Sequence, residues 1–148
     1  MPNHNPLIIK GCRQCGKTYS VLDFAYKNYS KVIYINFFEN PDYSSIFQGS
    51  LEVDYLTMMI TALLGKNVVF KEGETILVFD EIQECPEART ALKFFKLDGR
   101  YDVVATGSFL GVKGYGKESC SIPVGYETII EMVPLDFEEF LWANRNGY

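Results

Sequence analysis

Residues 11–18 read Gly-Cys-Arg-Gln-Cys-Gly-Lys-Thr, two glycines with four residues between them, then a lysine and a hydroxyl side chain. That spacing suits a loop that wraps phosphate. Glycines let the backbone curl so that successive N–H groups converge on phosphate oxygens. A helix beginning near Lys17 adds the positive end of its dipole. In such a loop Lys17 reaches the β- and γ-phosphates, and Thr18 offers its hydroxyl to Mg²⁺. Gly11, Cys12, Arg13, Gln14, Cys15, Gly16, Lys17, Thr18 and Tyr19 are therefore the candidate nucleotide-binding residues.

A second constellation lies downstream. Ile76 to Phe79 is an apolar run that delivers two adjacent carboxylates, Asp80 and Glu81. In open α/β sheets the carboxyl ends of strands are where ligands bind. Asp80 is placed to hold Mg²⁺, directly or through water. Glu81 is placed to take a proton from an attacking water. A third element, Ala105-Thr106-Gly107-Ser108, follows the next apolar stretch. A hydroxyl from Thr106 or Ser108 there can orient the water or touch the γ-phosphate, or it can simply be a polar strand exit. Gly111, Gly114 and Gly116 with Lys113 and Lys117 form either a lid or a solvated loop. Cys12 and Cys15 spell C-x-x-C, but no second such pair follows and the sole histidine is His4. They read as reduced thiols inside the phosphate loop rather than as half a zinc site.

These groups need elements to hold them. Leu7 to Ile9 reads as a short buried strand, and Lys17 to Tyr29 carries a helical apolar stripe at 21, 22, 24, 25 and 29. Lys31 to Phe37 is β-branched and aromatic, hence a strand. Asn40 to Gly49 reads as a loop. Leu56, Met59, Ile60, Leu63 and Leu64 form a helical stripe closed by Gly65. Thr75 to Phe79 is a strand covered on both faces. Pro86 opens a helix presenting Ala88, Ala91, Leu92 and Phe95. Asp102 to Ala105 and Thr128 to Val133 are further strands, and Asp136 with Glu139 caps a last helix. Strands alternating with helices predict a doubly wound, mainly parallel sheet.

Composition excludes several classes. With 148 residues the chain reads as one domain. Its 14 Lys and Arg against 19 Asp and Glu give a net charge of −5, which argues against a broad nucleic-acid-binding face. An aromatic content of 15% is too high for a disordered chain. No apolar stretch approaches the ~20 residues of a membrane span, and the opening residues lack a secretory signal. A cytoplasmic location is expected.

Together these residues resemble the AAA+ superfamily of phosphate-loop ATPases. The finer resemblance is to a prokaryotic group of AAA-domain ATP-binding proteins, carried by G-C-R-Q-C-G-K-T (11–18), V-F-D-E-I-Q (78–83), L-K-F-F (92–95), T-G-S-F-L-G (106–111), I-P-V-G (122–125) and P-L-D-F-E-E-F-L (134–141). The resemblance implies a three-layer α/β/α sandwich of phosphate-loop NTPase type, with a mainly parallel five-stranded sheet. A strand would lie between those leading to Lys17 and Asp80. It implies ATP and Mg²⁺ as cofactors and Thr106 or Ser108 in the sensor position. Relatives often place a basic residue where this chain has Tyr126, so a basic nucleotide sensor is not expected there. Arg89, Arg100 and Arg145 are loose candidates for a finger acting on a neighbouring subunit, each otherwise a surface arginine. The group usually continues into a larger C-terminal region. Residues 1–148 are accordingly expected to be the ATPase domain of a longer protein, with Trp142 facing the missing part or packing on the core. Expected partners are nucleotide, that C-terminal domain and a possible second copy of the chain. Mg²⁺–ATP hydrolysis is the leading expectation, a nucleotide-gated module with negligible turnover the second, and a small-molecule phosphotransferase the third.

Overall fold

The computed structural model describes residues 5–11, 16–65, 67–107 and 128–131. Five strands run through them: β1 (Leu7–Lys10), β2 (Lys31–Asn36), β3 (Thr75–Asp80), β4 (Asp102–Gly107) and β5 (Thr128–Glu131). Three helices, α1 (Lys17–Asn28), α2 (Val53–Leu64) and α3 (Pro86–Asp98), connect the first four in turn. All neighbours are parallel, in the order β2-β3-β4-β1-β5. The expected five-stranded parallel sheet is present, and β4 is the strand inserted between β1 and β3.

Strand alternation sorts the core into two layers. Leu7, Ile9, Ile76, Val78 and Val104 pack against Val21, Phe24 and Ala25 of α1. The opposite faces of the same strands bury Ile8, Leu77, Phe79, Val103 and Ala105 against α2 and α3, through Leu56, Ile60, Ala88, Ala91, Leu92 and Phe95. Helices on both faces of one sheet make the three-layer sandwich. β3 is buried at every position, which is why Thr75 to Phe79 is continuously apolar after its first residue. By the same alternation Asp80 points to the α1 side, with Ile76 and Val78.

Two expectations needed correction. The stretch 40–49 is not an open loop: Pro41–Phe47 forms a 3-10 helix that buries Ile46 and Phe47. Pro41 presets the first turn. Phe47 then meets Phe37 and Phe79 edge to face, with ring centroids 5.7 and 5.6 Å away. The polar residues around these two anchors gave the segment its loop-like composition. On α2 the expected stripe holds at Leu56, Met59, Ile60 and Leu64, joined by Val53, whereas Leu63 is 44% exposed. The helix expected from residue 136, the strand end at 132–133 and the glycine-rich stretch 111–116 lie outside the described residues.

From β1 the chain crosses by α1 to β2 at the far edge, while β4 and β5 flank β1. Strand order therefore reverses at β1. The carboxyl end of that strand is a topological switch point, where open α/β sheets bind ligands.

Candidate functional site

Gly11 follows β1 directly and its N–H donates to the Gly107 carbonyl at the end of β4, 3.2 Å away. Residues 12–15 lie outside the described residues. The chain re-enters at Gly16, which caps α1 in a left-handed conformation, φ 84° and ψ 12°. Its carbonyl accepts the first described helical bond, from Ser20 N–H at 3.0 Å. The first turn of α1 holds no acidic residue, so its dipole is left to act on an anion. Lys17 is the first helical residue, and Tyr19 is largely exposed two positions later. A side chain with a β-carbon is disfavoured at such a φ. Gly16→Ala is therefore expected to cost about 1 kcal/mol, a fall of roughly 2–4 °C in melting temperature without nucleotide, read by thermal unfolding.

Asp80, 2% exposed, is the hub of the site. Its Oδ2 accepts hydrogen bonds from the Thr18 hydroxyl at 2.9 Å, the Tyr34 hydroxyl at 2.5 Å and the Asn36 amide at 3.4 Å. Its Oδ1 accepts one from the Thr106 hydroxyl. The bond from Thr18 joins the start of α1 to the end of β3 across 62 residues. Buried charge is tolerated only when such donors surround it. Burial, and then the bond to Asp80, raises the Tyr34 pKa well above its ordinary value, so the phenol remains a donor.

Thr106 ties the two acids together. It is fully buried within β4, not on a loop after it. Besides donating to Asp80, its oxygen accepts the Glu81 N–H at 3.2 Å. Glu81 itself has φ 59° and ψ 51°, the one described residue other than glycine with positive φ. A left-handed non-glycine residue costs roughly 1–2 kcal/mol and persists where its surroundings over-determine it. Here Thr106 fixes the backbone, and Gln83 Nε2 donates to Glu81 Oε1 at 2.7 Å.

A family model described as an AAA domain matches residues 3–141. The chain belongs to that family. Membership places it among the AAA+ phosphate-loop ATPases and makes it a nucleotide-binding domain. No curated protein matches its sequence. Among solved structures it is similar to a DNA replication initiation factor, at TM-score 0.50 and 17% identity, over 97% of this chain and 44% of that one. It is also similar to PCH-2 from C. elegans, at TM-score 0.45 and 18% identity, over 98% of this chain and 41% of that one. DnaA from Aquifex aeolicus, bound to AMPPCP, matches at TM-score 0.44 and 16% identity, over 97% and 44%. The chain thus spans less than half the length of these three proteins. The first match supports the fold.

The AAA domain brings Gly11, Gly16, Thr18, Asp80, Glu81 and Thr106 to one end of the sheet. Cys12, Arg13, Gln14, Cys15 and Ser108 fall outside the described residues. The arginine candidates separate. Arg89 is 5% exposed on the inner side of α3, so it is not a surface arginine. Arg100 binds Asp98 and reaches Asp54 at 2.6 Å, bracing α3 to the start of α2. Arg145 and Tyr126 are outside the described residues. Sequence reading missed Tyr34, Asn36 and Gln83. The alternation in KVIYINF carried a signal, since it sets a hydroxyl and an amide on one face at the end of β2.

No described helix is long and apolar enough to cross a membrane.

Proposed function

We propose that this AAA domain binds Mg²⁺–ATP at Gly11–Thr18 and hydrolyses it, driving a conformational change in a C-terminal region of a longer chain or in a neighbouring subunit. The observation that carries the reading is the bond between Thr18 and Asp80, which sets a hydroxyl and a carboxylate side by side beside the loop. These are hard oxygen donors. Mg²⁺ suits such a pair, because it takes one or two protein oxygens and fills the rest of its shell with phosphate and water. Among the described residues no cluster of three or more His, Cys, Asp or Glu side chains forms a metal cage. Thr18 and Asp80 would hold the ion, which neutralises phosphate charge when bound.

The remaining steps belong to the chain's own groups. Lys17 and backbone N–H groups of the loop that follows Gly11 bind the phosphates, while the Gly11 N–H stays on the Gly107 carbonyl and ties the loop to β4. Glu81 accepts a proton from the attacking water, and Thr106 holds Asp80 and Glu81 in fixed relation. Fully buried and bonded to both, Thr106 acts through them rather than on phosphate. The alternative, a nucleotide-gated module with negligible turnover, draws on one observation. Gln83 already donates to Glu81 Oε1 at 2.7 Å, so that oxygen is engaged within the protein rather than turned to a water.

Thermal shift with ATP, ADP and GTP tests binding. ATP at one hundred times its dissociation constant is expected to add about 2.7 kcal/mol, a rise of roughly 5–10 °C for a domain of this size. GTP is expected to add less. Lys17→Ala removes a charge-assisted bond to phosphate of about 1.5–3 kcal/mol, so affinity falls by roughly 10- to 100-fold. A Lys17→Ala protein that binds ATP as tightly as the wild type overturns the loop assignment.

A further inference from the structure

We infer that Tyr34 is a positioning residue that aims the Asp80 carboxylate at the bound cation, as the last link of a directed hydrogen-bond chain along the end of β2. The inference rests on the Mg²⁺–nucleotide reading above and extends it to a strand that bears none of the residues assigned to the reaction.

The chain of bonds has a direction that can be worked out. Phe38 and Glu39 N–H both donate to Asn36 Oδ1, at 2.9 and 2.8 Å. Two backbone donors on one atom fix the amide's orientation, because its nitrogen could not accept them. Asn36 Nδ2 must then face the site, and it donates to the Tyr34 oxygen at 3.1 Å. With that lone pair engaged, the phenolic proton turns to Asp80 Oδ2, 2.5 Å away. A turn of backbone at 38–39 thereby dictates which oxygen of the Asp80 carboxylate, two strand positions from Tyr34's partner Val78, accepts the phenol's hydrogen bond.

Register explains why the residue is tyrosine. Tyr34 pairs with Val78, and Asn36 pairs with Asp80. Tyr34 and Asp80 are thus diagonal neighbours, about 7–8 Å apart at the backbone. A phenol spans that gap; serine or threonine does not. The ring is part-buried against the α1-side core, with Phe24 and Val78 in the same cluster, so it is held rather than swinging. Phenylalanine would fill the same space and donate nothing.

The chemistry makes the contact consequential. Mg²⁺ demands nearly ideal octahedral geometry, so an Asp80 carboxylate that rotates freely binds it poorly. Loss of a group that orients a metal ligand typically costs 10- to 100-fold in metal affinity. Asn36 and Thr106 still contact Asp80 when the phenol is removed, which puts the expectation at the low end.

The test is Tyr34→Phe. Binding of a fluorescent ATP analogue is measured for wild type and variant across a Mg²⁺ series and in EDTA. The Mg²⁺ concentration at half-saturation is expected to rise about 10-fold, with affinity in EDTA unchanged. Equal half-saturation in the two proteins overturns the inference, and so does an equal loss with and without Mg²⁺, since packing alone would produce that. A wild type that binds no nucleotide in either condition overturns the nucleotide reading and this inference with it.

Discussion

Replacing Glu81 by glutamine is expected to leave Mg²⁺–ATP binding unchanged and to lower turnover by about 10²–10⁴-fold, the usual contribution of a positioned general base. The substitution is close to silent in shape. Its amide oxygen still accepts the Gln83 bond. The left-handed backbone at position 81 and the Glu81 N–H bond to Thr106 are side-chain independent. What disappears is the basic carboxylate. Pre-steady-state phosphate release and equilibrium binding, measured on one preparation, check both halves. Full turnover by the variant places the base elsewhere, and loss of binding makes Glu81 structural. A wild type that binds ATP and turns it over negligibly favours the gated module.

The phosphate loop and the acidic strand end were legible because their chemistry is local. Gly16, Lys17 and Thr18 are consecutive, and Asp80 and Glu81 end one apolar run. The sheet was legible for a related reason, since strands buried on both faces cannot hide their apolar sequence. What escaped was set by neighbours in space. Asn40 to Gly49 has the composition of a loop, yet Phe47 finds Phe37 and Phe79, residues brought beside it by the sheet. Tyr34 looked like one more β-forming aromatic until register put its hydroxyl on Asp80. Sequence alone leaves Thr106 either a hydroxyl for water or phosphate or a polar strand exit, because its proton and an acceptor site are committed to Asp80 and the Glu81 N–H, partners that only the fold brings beside it.

That commitment leads to the largest expected effect on stability, at Asp80. A carboxylate reserved for a cation is often a burden without it, and removing the charge then stabilises the protein. Asp80 differs, since four donors already converge on it. Asp80→Ala leaves those donors facing a void. Thr18 and Tyr34 are part-exposed and can turn to water, whereas Thr106 and Asn36 are buried. Two buried groups at about 1–3 kcal/mol each, partly relaxed, give a loss of roughly 2–4 kcal/mol and a fall of about 5–15 °C. Asp80→Asn behaves differently. Its amide oxygen can replace Oδ2 for three donors while its nitrogen donates to the Thr106 oxygen, so melting falls by less than half as much. Both variants lose the anionic oxygen, and both are expected to lose the Mg²⁺ dependence of nucleotide binding. Thermal unfolding without ligand, paired with a Mg²⁺ titration of ATP binding, separates the two roles. An Asp80→Ala protein more stable than wild type means that the four bonds do not balance the buried charge.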